Sequence, residues 1–300
     1  MIALLPLSIL ALALAGGVVL LVCYRAAAAY THPPRVVETV TPGSEGLVYE
    51  DVTLHTDDGL DLAAWYVAGT NRAALVLVHG IGTNRQPMLP LARDLNAAGY
   101  GVLLLTLRGH GLSGGQVTTF GVAEVLDIRA AVAYLSDRFD VDPASIGVYG
   151  ASLGGAAAIK AAAIMPQIRA VVADSAYSSL RWMIDHELQR LLRLPPVLTP
   201  LIVTFGSWQS GARVADAAPV TAIGSIPSNR LFLIHGDADC LVPVENVRLL
   251  AEAVSPPPCV WVVPDADHVQ AYSLAPEQFV ARLGAFYAGR LAALAGTGHG

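Results

Sequence analysis

The pattern of hydrophobic and polar positions divides the chain into three parts. The first 24 residues carry no charged side chain. Over residues 45–69, apolar and polar positions alternate on both sides of Asp57-Asp58-Gly59, which has the chemistry of a hairpin turn. Beyond residue 73, short apolar runs alternate with segments of helical length. We therefore predict an apolar N-terminal helix, then two antiparallel strands, and then alternating strands and helices.

Six short apolar runs are predicted as strands. A strand that is apolar at every position is buried on both faces, and helical segments between such strands imply right-handed crossovers and a parallel sheet. Functional groups in such sheets collect on the loops at the carboxyl ends of the strands. Here each run is followed by polar or glycine residues. The runs are residues 73–80, 101–107, 145–150, 168–174, 230–236 and 259–265.

The N-terminal apolar segment is long enough to cross a bilayer, because 24 helical residues span roughly 36 Å. A cleaved signal peptide is the alternative, since the alanines at 26–29 offer small residues to a peptidase. However, no Lys or Arg precedes the run, and it exceeds the roughly 7–15 residues of a signal-peptide core. We predict a single-pass membrane anchor over residues 1–25. Arg25 and Arg35 follow it, which favours a cytoplasmic main domain but leaves the side of the membrane open.

Residues 26–46 are predicted as a juxtamembrane linker and residues 47–295 as one domain, because no repeat or Gly/Ser-rich segment divides them. The formal net charge of −6 would repel a phosphate backbone, so nucleic acid is excluded as a partner. Cys23 lies in the span. Cys240 follows one predicted strand and Cys259 starts the next, which places them at opposite ends of a parallel sheet, so no disulfide is predicted.

The segment between the fourth and fifth apolar runs is longer than a simple crossover. Apolar residues recur at helical spacing from Leu180 to Leu192 with charged residues between them, which predicts an amphipathic helix. Pro195-Pro196 ends it, and a second apolar piece follows over residues 197–208. We predict that residues 178–222 form a cap over the active site. Packing into the core and contact with a membrane surface are the alternatives.

The stretch Gly150-Ala151-Ser152-Leu153-Gly154 joins a predicted buried strand to a predicted helix. Small residues allow the sharp turn that exposes Ser152 as a nucleophile. Backbone N–H groups at the start of a helix lack intrahelical partners and can stabilise an oxyanion. A serine hydroxyl needs a base to take its proton, and the base needs an acid to orient it. The chain should therefore supply an Asp or Glu and a His downstream.

Four histidines follow Ser152 in the chain. His186 falls in the predicted cap helix, His235 ends a strand, and His299 lies in a glycine-rich tail. His268 lies on the loop after the last predicted strand. We therefore predict His268 as the base.

Three aspartates are candidates for the acid. His268 lies on the loop after the run 259–265, and the neighbouring run in the predicted sheet ends at Gly236. An acid on the loop after Gly236 therefore reaches the imidazole of His268 most directly. This position favours Asp237 and Asp239 over Asp174. The residues alone do not decide between Asp237 and Asp239.

Taken together, the motifs resemble those of α/β-hydrolases, in particular the serine hydrolases grouped with S33 aminopeptidase and lysophospholipase-like proteins, including membrane-anchored members. The resemblance covers about residues 47–290 and implies an α/β-hydrolase fold: a mostly parallel sheet, an antiparallel N-terminal hairpin and a short helical cap. It selects Asp239 as the acid and makes Asp237 a turn residue. The motifs are "LVHGIG", "LTLRGHGLSGG", "GASLGG", "DSAYSSL", "LIHGDADCLVP" and "DADH".

The resemblance also implies the remaining site. Ser152 and His268 complete the triad, and the backbone N–H groups of Ile81 and Leu153 form the oxyanion hole. We expect no metal and no cofactor. Arg108 is expected to support the loop that contains it. The usual aspartate before the Arg-Gly pair is replaced in "TLRG", so its hydrogen bond is not expected here.

We therefore predict a membrane-anchored serine hydrolase that cleaves an ester or related acyl bond through an acyl-enzyme on Ser152. The composition, 54% hydrophobic and 14% charged, favours a small-molecule acyl substrate of lipid-like character. A serine peptidase of the same fold and a non-catalytic membrane scaffold are alternatives. A metal-dependent hydrolase is a third, and its ligands would be His235, Asp237, Asp239, Asp265, Asp267 and His268.

Overall fold

The computed structural model describes residues 4–190 and 195–291. Eight strands form one sheet at its centre. In chain order they are β1 (Glu50–His55), β2 (Asp61–Val67), β3 (Ala74–Val78), β4 (Gly101–Leu105), β5 (Ile146–Ala151), β6 (Ile168–Asp174), β7 (Leu231–Gly236) and β8 (Cys259–Val263). The six apolar runs predicted as strands are β3 to β8.

The α-helices of the described residues cover both faces of this sheet and extend beyond it. They are α1 (Leu4–Thr31), α2 (Leu89–Ala97), α3 (Glu124–Ser136), α4 (Leu153–Ile164), α5 (Leu180–Arg190), α6 (Thr199–Ser210), α7 (Glu245–Glu252), α8 (Ala271–Leu274) and α9 (Pro276–Leu291).

The strand order is β1-β2-β4-β3-β5-β6-β7-β8. The predicted hairpin is present: β1 and β2 are antiparallel, β2 pairs antiparallel with β4, and all further pairs are parallel. Alternate residues of β3 enter opposite halves of the core, so that Val76 packs with one cluster and Leu77 with the other. The α/β-hydrolase fold implied by the sequence is confirmed.

The segment between β6 and β7 forms two cap helices, α5 and α6. α5 begins at Leu180, where the helical periodicity begins, and α6 spans most of the second apolar piece. Residues 191–194 of the predicted cap, residues 292–295 of the predicted domain and His299 lie outside the described residues.

One helix of the described residues, α1, is long and apolar enough over Ser8–Thr31 to cross a membrane, a property that anchors and signal sequences share. Its N-terminal part stands away from the domain, with Leu12 73% exposed. Its C-terminal part continues into the predicted linker and packs on α6, where Cys23 and Ala27 are buried with Ile202. The helix therefore does not end at residue 25.

The segment between α1 and β1 is bound to the domain. The Arg35 guanidinium donates to the carbonyl oxygens of Gly111 and Ser113 at 3.0 and 2.7 Å. The Glu38 carboxylate lies 3.1 Å from Nε of Arg85, and both side chains are buried. This segment, predicted as a linker, thus fixes α1 relative to the sheet.

Candidate active site

Ser152 lies on the sharp turn between β5 and α4. Its backbone has φ 53° and ψ −115°, a strained conformation for a residue with a side chain. The turn requires glycine on both sides. A Cβ on Gly150 would lie 2.2 Å from the carbonyl oxygen of Gly154, and a Cβ on Gly154 would lie 2.3 Å from the carbonyl oxygen of Val78. The close approach of these backbones explains the glycine spacing around the serine.

The two predicted oxyanion donors border the same cavity as Ser152. Leu153 is the first residue of α4, so its N–H has no acceptor within the helix. Ile81 follows Gly80, where an added Cβ would lie 3.3 Å from Cβ of Ser152. Gly80 therefore lets the loop after β3 approach the serine closely.

Two neutral histidines hold this loop in place. Nε2 of His110 accepts a hydrogen bond from the Gly82 N–H at 3.1 Å, and its Nδ1 donates to the Arg108 carbonyl oxygen at 2.8 Å. His79 donates from Nδ1 to the Gly80 carbonyl oxygen at 2.6 Å. Burial lowers the pKa of His79 to about 3 and also lowers the pKa of His110. Both rings therefore act as uncharged supports at neutral pH.

The predicted base and acid lie in direct contact. Nδ1 of His268 is 2.8 Å from Oδ2 of Asp239, whose carboxylate is fully buried. The other oxygen, Oδ1, accepts the N–H groups of Leu241 and Val242 at 3.0 and 2.7 Å. The carboxylate is thus held through both oxygens, and donation from Nδ1 leaves Nε2 of His268 as the basic nitrogen.

The other aspartate candidates have different partners. Oδ1 of Asp237 accepts the Asp265 N–H at 2.7 Å, which is the role of a turn residue. The Asp174 carboxylate accepts the hydroxyl groups of Tyr149 and Ser175 at 2.8 and 3.1 Å. Burial raises the pKa of Asp174 to about 6.

The remaining histidine candidates that the structure describes have other contacts. Nε2 of His235 donates to the Val242 carbonyl oxygen at 2.7 Å, and burial lowers the pKa of this histidine. His186 stacks on Trp182 within α5. Within the described ranges, no group of three or more His, Cys, Asp or Glu side chains is arranged to hold a metal ion.

Two residues that sequence reasoning missed join the loops of the site. Oδ1 of Asp267 accepts the N–H groups of Cys240 and His268 at 3.0 and 2.8 Å, which ties the acid loop to the base loop. Ser175 has φ 52°, and its hydroxyl oxygen accepts the Val269 N–H at 3.1 Å. Asp267 lies in "DADH" and Ser175 in "DSAYSSL", both directly after predicted strands. That position is the sequence feature that could have indicated their supporting role.

Arg108 supports the loop after β4, as expected. Its Nε donates to Asp127 at 2.8 Å, and its terminal nitrogens donate to Asp58 at 2.7 and 3.1 Å. At the position of the replaced aspartate in "TLRG", the Thr106 hydroxyl donates to Oε1 of Glu38 at 3.2 Å. The segment that follows α1 therefore reaches this loop.

A cavity that is partly open to solvent adjoins Ser152 and is bordered by residues of α5. α5, which lies in the segment predicted as a cap, thus contributes part of its wall. The residues that border the cavity are mostly apolar and, among those described, include no carboxylate. The principal apolar side chains are Ile81, Phe120, Leu180, Met183, Ile184 and Leu241.

Comparisons with known proteins place the chain in a family and show the same fold. A family model described as serine aminopeptidase, S33, matches residues 69–210. The Pyrococcus furiosus esterase Pf2001 is 33% identical in sequence and superimposes with a TM-score of 0.74 over 87% of this chain and 98% of that chain. The uncharacterized protein Rv2307c of Mycobacterium tuberculosis is 32% identical over 230 residues, 73% of this chain and 72% of that protein. The Arabidopsis thaliana alpha/beta hydrolase domain-containing protein WAV2 is 26% identical over 276 residues, 86% and 85% of the two chains.

Proposed function

Because the chain belongs to the α/β-hydrolase superfamily, we propose that it is a serine hydrolase that cleaves an ester bond through an acyl-enzyme on Ser152. The observation that carries the proposal is the His268–Asp239 contact of 2.8 Å. This pair lies on the exit loops of β7 and β8, at the sheet edge where β5 delivers Ser152. An esterase of 33% sequence identity supports the same chemistry.

The proposed reaction has two halves. Oγ of Ser152 attacks the ester carbonyl carbon while Nε2 of His268 takes the hydroxyl proton, and Asp239 stabilises the resulting imidazolium. The N–H groups of Ile81 and Leu153 hold the oxyanion. The carbon–oxygen bond then breaks, and His268 returns the proton to the leaving alcohol. In the second half, a water molecule attacks the acyl carbon and gives a proton to His268. The bond between the acyl carbon and Oγ of Ser152 then breaks, and His268 returns the proton to Oγ, which releases the carboxylic acid and restores the Ser152 hydroxyl.

An ester is favoured over a peptide as substrate. An aminopeptidase needs a group that binds the substrate ammonium, and a carboxylate would serve. The cavity at Ser152 is bordered by apolar side chains with no carboxylate among the described residues. An aryl butyrate should therefore be hydrolysed at least a hundredfold faster than an aminoacyl arylamide, with both activities absent in Ser152→Ala. The reverse preference would make the protein a peptidase.

We infer further that α1 is retained as a membrane anchor. Its first part exposes apolar side chains such as Leu12 and Leu14, which a bilayer would cover. Its last part is buried: Cys23 and Ala27 pack with Ile202. Cleavage among the alanines that follow Arg25 would strip this cover from α6. The mature protein should therefore keep its N-terminus by mass spectrometry and stay in the membrane pellet after carbonate extraction; a soluble protein starting near residue 30 would contradict the inference.

A further inference from the structure

A second apolar cavity adjoins the cavity above Ser152. It is partly open to solvent and lies between the C-terminal part of α1 and the helices α5 and α6. The two cavities share four bordering residues, so they are neighbours, and a chain that passed between those residues would follow one apolar path from Ser152. We call the second cavity the distal chamber. The shared residues are Tyr30, Phe120, Leu180 and Ile184.

The wall of the distal chamber includes α1 itself. Ala27 of α1 and Val203 and Gly206 of α6 border it. The two helices cross closely, since a Cβ on Gly206 would lie 4.0 Å from Cβ of Ala27. The side chain of Gln209 on α6 forms two hydrogen bonds with α1. Its Nε2 donates to the Tyr24 carbonyl oxygen at 3.1 Å, and its Oε1 accepts the Thr31 hydroxyl at 2.9 Å. α1 is thus a fixed wall of the chamber rather than a loose tether.

The crossing has the side chains of a membrane–water interface. Trp208 is 73% exposed, and its ring centroid lies 6.3 Å from that of Tyr24. Exposed Trp and Tyr side chains occur preferentially at the level of lipid headgroups. Arg25 follows directly, and the exposed apolar part of α1 precedes it. The distal chamber therefore lies just below the level at which lipid headgroups would meet the protein.

We propose that the distal chamber binds the acyl chain of a long-chain ester whose carbonyl carbon is attacked by Ser152, and that α1 forms part of this acyl site. The assignment rests on the proposed serine hydrolase function. A short acyl chain ends in the cavity at Ser152, whereas a longer chain continues along the apolar path. Each further buried methylene should strengthen binding by about fourfold. The substrate class is a membrane-resident ester with a single long acyl chain in the site.

The test narrows the chamber and compares acyl lengths. Val203→Phe places a ring in the chamber, and Thr204→Phe adds the same ring to an exposed position of the same helix. Full-length proteins in lipid nanodiscs are assayed for kcat/KM on p-nitrophenyl butyrate and p-nitrophenyl laurate. We expect the wild type to favour laurate. Val203→Phe should lower the laurate-to-butyrate ratio at least tenfold, Thr204→Phe should leave it unchanged, and Val203→Ala should keep the preference for laurate. An unchanged ratio in Val203→Phe would overturn the proposal.

A second measurement separates this proposal from the hydrolase mechanism. A twelve-carbon fatty acid with a terminal diazirine is irradiated with the Ser152→Ala protein, and its attachment sites are mapped by mass spectrometry. Attachment to Ile202, which is only 3% exposed and lies on the chamber, and competition by dodecanoate would support the acyl site even if no ester were hydrolysed. An active wild type whose Ser152→Ala protein shows attachment only on exposed positions of α1 would refute the acyl site and leave the hydrolase proposal intact.

Discussion

Two regions of the molecule are held together in different ways. One is the catalytic edge, where the loops after β3, β5, β7 and β8 meet around Ser152, and the other is the junction, where α1 crosses α6. At the catalytic edge, backbones approach so closely that a Cβ on Gly154 would lie 2.3 Å from a carbonyl oxygen. At the junction, a Cβ on Gly206 would meet only ordinary van der Waals contact at 4.0 Å. The proposed nucleophile is thus fixed by backbone geometry, whereas the proposed acyl path is shaped by side chains that can be exchanged. Substitutions at the first should stop the chemistry, and those at the second should change the choice of substrate.

The largest expected effect is at the acid. Asp239→Asn should lower kcat by about 10³- to 10⁴-fold, because the amide cannot orient His268 and stabilise its charge as the carboxylate does. Steady-state hydrolysis of an aryl butyrate, with circular dichroism as the check on folding, measures this. Asp237→Asn is the matched control and should lower kcat less than tenfold, since the Asp237 carboxylate accepts the Asp265 N–H in the turn and an amide oxygen can do the same. Loss of activity in the folded Asp237 variant, with normal turnover in Asp239→Asn, would reverse the assignment.

The next largest effect is on stability, where matched glycine-to-alanine substitutions in the two regions should change the free energy of unfolding in opposite directions. Gly154→Ala should destabilise the protein by about 3 kcal/mol or more, because its Cβ would collide with the backbone of Val78. Gly206→Ala should stabilise it by up to about 1 kcal/mol, because alanine favours the interior of a helix and the site has room. Urea unfolding in detergent measures both. Equal effects at the two sites would remove the proposed difference between the regions.

The smallest effect concerns the neutral histidines behind the oxyanion loop. The folded-state pKa of His79, about 3, lies below its ordinary value of 6.5. Between these values the unfolded chain binds a proton that the folded chain does not, so the free energy of unfolding falls as the pH falls. The slope should be about 1.4 kcal/mol per pH unit for this group.

Urea midpoints at pH 7.5 and 5.5 check this linkage. His79→Asn should reduce the slope of unfolding free energy against pH, and its absolute stability is expected to be lower at both pH values. An equal slope in the wild type and in His79→Asn would show that the buried histidine does not contribute in this way.

The catalytic edge was largely predictable from sequence because its demands are local. Only glycine fits the close backbone contacts at Gly150 and Gly154. The polar residues of the site follow directly after apolar runs that are recognisable in the sequence. The choice of Asp239 over Asp237 needed the family resemblance, because their roles depend on which loop faces His268. The support from Asp267 and Ser175 was missed, since their hydrogen bonds join segments far apart in the chain.

The junction of α1 with the cap was not predictable in the same way. Composition indicated a spanning helix, but its packing on α6 depends on small residues such as Ala27 and Gly206 that carry no periodic signal. The docking of the predicted linker through Glu38 and Arg85 is likewise a long-range ion pair. Such contacts are set by the assembled fold rather than by local sequence.

Covalent labelling with a fluorophosphonate probe tests the central claim, that Ser152 is the nucleophile, most directly. The probe phosphonylates an activated serine, and peptide mass spectrometry locates it. We predict one adduct per chain on Ser152 in the folded wild type and none in Ser152→Ala. An adduct on Ser175, the nearby serine that also has a positive φ, or a folded wild type without any adduct, would contradict the account.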